Sequence, residues 1–431
     1  MSIAVRNAAR NRMKSMHGVG VLCGLSAGVW LGGAEAPTKL VNAHISPFTI
    51  SLCMVAGVFV ARWTIPSVLR GTNYIFADLW EKKHLIVWGI LAGALWAVAN
   101  TLTVFAIRDV GLAIAFPLWN TNCLVGIFWG WLLFRELQGA DARNWLKVLG
   151  GALAILLAAF LLAFSSVHGS AIAPGRAVRG IVAALGASLM WGTMYVPYRK
   201  AYLSGMNPLS FVTVFTVGEL GTMTLLAAAF YGGVHPLIAE LRSARAVIFW
   251  LFLGGFCWVI GDLFQQYATK YIGIGRAIPL SNTNQLWGLA WGALVFGELA
   301  HASLQHRLIV IAGSCVMLLG AFGISTSAAG AEEQVSARHA VARECNRYGL
   351  NYPRVLETQE GMDSGETRAT HRRWWDYAIA IAACGIFAGL ARGIVRPALY
   401  VNTFWASSLV LLLLLTFLGG GWWLWKKTRF S

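Results

Sequence analysis

Charge is what this 431-residue chain has least of: 12% of its residues are charged, against about a quarter in soluble proteins. Acids are the scarcer sign, 18 against 34 bases, which leaves a net charge of +16. So little polar surface excludes a water-soluble particle of this size. The bases stand in short clusters between apolar runs, a placement that orients a protein in a membrane and excludes a basic face for nucleic acid. The seven cysteines have neither metal nor redox spacing; only Cys345 lies in a polar stretch, and no disulfide framework is expected. No His-Glu-x-x-His pair and no phosphate-cradling loop occurs. The chain therefore reads as a non-enzyme without catalytic residues, metal or cofactor.

What is abundant is apolar: 57% of residues are hydrophobic, with 20 Trp and 47 Gly, and mean hydropathy is +0.62. Trp gathers at membrane interfaces and Gly lets helices approach closely. The fold class expected is an all-α polytopic membrane protein. Apolar runs of spanning length fall at 17–34, 46–65, 85–107, 110–134, 145–165, 179–198, 208–231, 246–268, 272–297 and 304–325, and two more at 376–391 and 399–425. The basic stretch 1–16 precedes the first run, which lacks a small-x-small cleavage site and reads as an uncleaved span. The stretch 326–373 is polar and near-balanced in charge, which predicts a flexible loop; 374–431 holds the additional helix pair.

Basic residues at Arg6–Lys14, Arg62, Arg70, Lys82, Lys83, Arg135, Arg143, Lys147, Arg199, Lys200, Lys270 and Lys426–Arg429 fall on one side of that topology. The positive-inside rule then places both termini in the cytoplasm, in a cell (inner) membrane.

The most informative feature is an internal repeat. Trp88–Leu137 aligns without a gap onto Trp250–Leu299, with roughly 20 of about 50 positions identical. Pro117, Asn120, Thr121, Asn122 and Glu136 match Pro279, Asn282, Thr283, Asn284 and Glu298; Gly32 and Pro37 match Gly192 and Pro197. The unit is about five helices, 17–165 and then 166–325. An odd number of spans inverts the second copy, the architecture of alternating-access transporters.

On these residues the chain resembles the drug/metabolite transporter superfamily over about residues 17–325. The carriers are Trp191-Gly192-x-x-x-x-Pro197 and the two Gly/Pro-rich helices ending at Glu136 and Glu298. The segments Asn120–Asn122 and Asn282–Asn284 and the Trp-rich start of the eighth helix look most like its glucose, ribose or rhamnose uptake branch. The resemblance implies ten helices in two inverted halves and a small carbohydrate as substrate, and says nothing of residues after 326.

Polar groups at membrane depth need a partner, a cavity or a wet path. Asn120, Asn122, Asn282 and Asn284 follow Pro117 and Pro279, each of which frees a carbonyl. Either they satisfy those breaks and neighbouring helices, or they line a central site for hydroxyl-rich ligands. Trp119, Trp191, Trp287, Trp291, Tyr195 and Tyr198 are packing residues or stacking faces for sugar C–H groups. Asn100 and Asp262 share a repeat position. An Asp there costs roughly 2.5–3.5 kcal/mol on insertion scales, so Asp262 either carries a coupling proton or accepts bonds from neighbours, with Gln265 and Gln266 extending its polar face. Glu219, which reads as a protonated acid bonded to Thr222 or to a neighbouring helix, and Glu35, four residues before Lys39, are further proton candidates. Glu136, beside Arg135, and Glu298 read as structural, and Arg276 as snorkelling or pairing with Asp262. The expected function is a secondary transporter of a small polar metabolite, most simply a sugar with a proton. The alternatives are an exporter of amino acids or amphipathic drugs, favoured by an apolar cavity, and a non-transporting scaffold or sensor.

Overall fold

The computed structural model describes residues 3–39, 45–110, 112–164, 174–297, 299, 303–361, 372–394 and 401–430. Among them every regular element is a helix, as expected for a chain that must satisfy its backbone within hydrocarbon. The principal helices are α1 (Ile3–Ala34), α2 (Pro47–Leu69), α3 (His84–Val110), α4 (Leu112–Trp119), α5 (Asn122–Phe134), α6 (Gly151–Phe164), α7 (Pro174–Leu203), α8 (Pro208–Phe230), α9 (Arg245–Ile272), α10 (Ile274–Ser281), α11 (Asn284–Ala290), α12 (Leu304–Ser325), α13 (Ala331–Tyr348), α14 (Tyr352–Gln359), α15 (Trp374–Ala391) and α16 (Thr403–Thr428). Ten helices among the described residues are long and apolar enough to cross a membrane. The runs 110–134 and 272–297 are the other two of the twelve, and each is broken in the middle rather than continuous.

Local chemistry sets the helix starts. Ser46-Pro47 and Asn207-Pro208 open α2 and α8, with the Ser46 and Asn207 side chains accepting from Thr49 N and Leu209 N. Proline at the first turn wastes no hydrogen bond. Glu240, on a short helix, accepts from Ser46 N at 2.8 Å and so adds a carboxylate to the same helix end.

Helix pairing follows glycine. An added Cβ at Gly57 of α2 would collide with the Phe252 carbonyl of α9, and one at Gly255 with the Met54 carbonyl of α2. The same occurs between α3 and α8, where Gly93 meets the Phe215 carbonyl and Gly218 the Ile90 carbonyl. Gly93 and Gly255 are repeat positions of one another. At the long crossings α1 packs on α9 and α7 on α3, while α6 packs on α12.

The stretch read as a flexible loop, 326–373, is corrected in part: 331–348 and 352–359 are helical. Glu332 and Glu333 sit in the first turn of α13, Arg347 in its last, and Gly349 (φ 65°) follows it, which are ordinary helix stop and start signals. Docking supplies the rest. Arg276 donates two hydrogen bonds to Glu333, at 2.7 and 2.9 Å; Lys200 binds Glu344 at 3.0 Å; Tyr348 stacks on His84 at 3.6 Å. Gln359 of α14 donates to the Tyr202 carbonyl at 2.6 Å. Cys345, expected in polar surroundings, is buried with Leu203, Val341 and Val355.

Burial alone would raise the Glu333 pKa, but the hydrogen bonds and charge of Arg276 outweigh it and hold the carboxyl below its usual 4.5. A depressed carboxyl stabilises the docked form fully above the unfolded value and loses that contribution as pH falls through the folded one. Hydrogen-exchange protection of 331–348 is therefore expected to be constant above about pH 4.5 and to collapse below it. Glu333→Gln should raise exchange there roughly ten- to hundred-fold at neutral pH, from about 1.5–3 kcal/mol of lost charged hydrogen bonding. Unchanged protection in the variant would refute the docking role.

Candidate functional site

Four helices bring charge together in the core. Arg62 of α2 lies with its Nη2 3.0 Å from Asp262 Oδ2 of α9 and its Nε 3.6 Å from Glu219 Oε2 of α8, all three side chains wholly buried. Tyr198 of α7 donates to Asp262 Oδ1 at 3.3 Å, and Gln266 donates to Oδ2 at 2.7 Å. Gln266 in turn accepts from the Tyr202 hydroxyl. Phe215 lies under the guanidinium at 4.1 Å and Trp258 at 5.6 Å, a setting that suits a delocalised cation. One cation thus faces two acids in a place without solvent.

Arg62 was expected in a loop as a topology signal, together with Arg199, Lys200 and Lys270. All four lie inside helices, so they do not count toward loop charge. The clue to Arg62 was its position inside the apolar run 46–65, opposite acids that needed a cation. Asp262 does not pair with Arg276, which binds Glu333, and of the two alternatives for Glu219 its neighbour is on another helix, Arg62 of α2.

A second polar centre forms at the broken helices. Thr121 and Thr283 turn their hydroxyls back onto the Leu118 and Leu280 carbonyls at 2.7 and 2.8 Å, closing each break as a tight turn. The breaks meet one another: Asn282 donates to the Asn120 carbonyl at 3.0 Å and to Asn122 Oδ1 at 2.9 Å. Among the buried polar atoms without a hydrogen-bond partner in the described residues are Asn120 Nδ2, Asn284 Oδ1 and Trp191 Nε1 here, and the Arg62 nitrogens and both Glu219 carboxylate oxygens at the charge cluster. Trp191 meets Trp119 edge-on at 6.0 Å, which keeps these groups near the first break. Trp287 is half-buried on α11 with its Cβ facing Gly32.

Asn100 donates instead to Ser51 at 3.0 Å, and its neighbour Trp96 meets Trp258 at 5.0 Å. Gln265 is buried beside the charge cluster, whereas Glu35 is half-buried at the end of α1 and the Lys39 side chain lies outside the described ones. Glu136 is corrected: it pairs with Arg199 at 3.1 Å, not Arg135, and accepts from Ile274 N and Gly275 N at the start of α10. Glu298 lies outside the described residues. Gly24-Leu25-Ser26-Ala27-Gly28 spells a Gly-x-Ser-x-Gly pattern, but it is regular helix within α1 and makes no nucleophile elbow. A cavity of about 260 Å³ is apolar and lies between α2, α9 and α16, not at the Asn breaks.

Residues 17–165 match the sugar transport protein family and residues 178–326 the EamA-like transporter family. Both matches are to transporter families, one in each half of 17–326, and they place the likeness within the drug/metabolite transporter superfamily. A Lactobacillus johnsonii protein with a provisional sugar-uptake name is 31% identical over 119 residues, 27% of this chain and 41% of that protein. "Transmembrane protein 144 homolog A" of Dictyostelium discoideum is 28% identical over 151 residues, 33% and 37% of the two chains. A Streptococcus pyogenes serotype M6 protein, also provisionally named for sugar uptake, is 25% identical over 217 residues, 50% and 70%. The matched stretch thus spans about two-fifths of the first two relatives. The family-model match ends at Thr326, so α13 to α16 lie outside it.

Removing one partner of a buried ion cluster leaves uncompensated charge, at a cost of about 3–5 kcal/mol. Arg62→Met is expected to lower the thermal midpoint sharply in detergent, and adding Asp262→Asn with Glu219→Gln should recover most of the loss. No recovery in the triple variant would contradict the electrostatic account.

Proposed function

We propose that this chain is a secondary transporter that carries a small polar metabolite, a sugar, across the membrane by alternating access. The observation that carries the reading is the meeting of two broken helices, one per repeat, through Asn282, Asn120 and Asn122. Discontinuous helices of repeated halves are where such proteins hold their substrates. The unpartnered Asn120 Nδ2, Trp191 Nε1 and Asn284 Oδ1 offer two donors and an acceptor, the complement of hydroxyl groups. In this reading 17–165 and 166–325 are inverted five-helix halves, supported by the interchangeable α1–α9 and α7–α3 pairings, and both termini face the cytoplasm of a cell membrane.

Coupling to protons rests on charge counting at the second centre. Arg62 compensates one of the two acids, so a proton on Asp262, or on Glu219, removes the residual charge. Arg62 can trade one carboxylate for the other as α2, α8 and α9 shift, which links protonation to conformation. Glu35 lies apart from this cluster and is not assigned the proton. The apolar cavity favours a second reading, an exporter of amphipathic compounds, but it lies on the α16 flank and not between the breaks.

Proteoliposomes containing the chain alone should accumulate a labelled monosaccharide when an inward proton gradient is imposed. Export of an amphipathic dye without sugar flux would favour the second reading, and no flux of either kind a scaffold. Asp262→Asn is expected to keep exchange of bound substrate and abolish accumulation; accumulation that survives it removes Asp262 from coupling. Asn282→Ala should raise the half-saturating sugar concentration about 2- to 13-fold, from roughly 0.5–1.5 kcal/mol of hydrogen bonding, and weaken substrate binding more than it weakens folding. A loss confined to stability would make Asn282 a structural brace.

A further inference from the structure

The apolar cavity has features that transport of a polar solute leaves unexplained. Ile65 of α2, Leu263 and Phe264 of α9, and Phe417, Trp422 and Trp425 of α16 are among its lining residues. Its outer wall is on the exposed side of α16, where Leu418 and Trp422 are 64% and 58% exposed, and where a bilayer would place acyl chains. Carbon-lined walls gain dispersion contacts from apolar groups packed against them. A chain of methylenes entering from the side supplies such groups.

The rim carries charge of one sign. Lys426 Nζ lies 4.9 Å from the centre of the Trp422 ring, and the Arg429 guanidinium 3.9 Å from that of Trp425. Both rings line the cavity, so the two cations stand over its walls at the C-terminal end of α16. Lys427 follows in the same turn, and all three cations are exposed. The ion pairs among the described residues involve none of them.

We propose that this chamber is a binding site for an anionic phospholipid, with an acyl chain against α2, α9 and α16 and the phosphodiester at Lys426 and Arg429. An apolar partner helix would bury the same carbon, yet would leave two exposed cations without counter-charge. A phospholipid satisfies both halves of the site. Leu263 and Phe264 directly follow Asp262, so the bound acyl chain bears on the helix that carries the charge cluster.

The test titrates the purified full-length chain in detergent with phosphatidylglycerol and with phosphatidylcholine of the same chains, read by native mass spectrometry. Phosphatidylglycerol is expected to bind more tightly by up to about 25-fold, about five-fold for each of two cations. K426Q/R429Q should abolish that preference and keep the residual, chain-driven binding. Gly421 lines the chamber, and a Cβ placed there meets nothing within 4 Å, so Gly421→Leu should fill the space and weaken both lipids without lowering the thermal midpoint. Equal affinity for the two lipids, unaltered binding in Gly421→Leu, or tighter binding of oleate than of phosphatidylglycerol would overturn the proposal. Should Gly421→Leu fail to fold, the K426Q/R429Q comparison decides alone, since its substitutions are on exposed side chains.

Discussion

Hydrocarbon offers no water to a charge, so each ionised side chain within the bundle has to find its partner on another helix. Arg62 is the clearest case, since one guanidinium serves acids from two different helices and thereby ties α2, α8 and α9 together. Glu136 answers to the same constraint: it neutralises Arg199 of α7 and also caps the start of α10. Arg276 reaches outside the bundle for Glu333, and that choice recruits a polar helix onto the membrane core. The docked segment supplies the counter-charge for Arg276 and, through Glu344, for Lys200.

Glycine decides where those charges meet. Glu219 directly follows Gly218, whose lack of a side chain lets the Ile90 carbonyl close in, and Asp262 directly follows Gly261, which lies against Leu31. Each acid therefore sits beside a tight crossing and is sealed in protein rather than turned to lipid. Close backbone approach, elsewhere a matter of van der Waals packing, here also keeps the two carboxylates dry.

The two polar centres divide the work that the proposed function requires. The Asn breaks hold neutral amides and leave three polar atoms without hydrogen-bond partners, which is what the proposed recognition of substrate draws on. The Arg62 cluster is hydrogen-bonded at Asp262 but leaves the Arg62 and Glu219 polar atoms without hydrogen-bond partners, and its charge is unbalanced, which is what the proposed coupling draws on. The Arg62 cluster is closed to solvent, whereas Trp191, Asn284 and Trp287 at the breaks are half-buried.

Hydropathy alone located twelve apolar runs, because a spanning segment is a local property of length and composition. The duplicated Pro, Asn, Thr and Glu positions marked the two breaks in the same local way, and Asp262 and Glu219 stood out because an acid among apolar residues is anomalous wherever it lands. Partner choice was not legible. Arg62 and Arg276 are both arginines within reach of apolar runs, and nothing in their neighbours along the chain says that the first meets Asp262 and the second Glu333. That depends on which helix faces touch. The helix 331–348 was missed for a related reason: a short polar helix is marginal in water, and its stability comes from Arg276, Lys200 and His84, residues far away in the chain. The apolar chamber likewise exists only where α16 lies along α2 and α9, a juxtaposition made by packing and encoded in no single stretch of sequence.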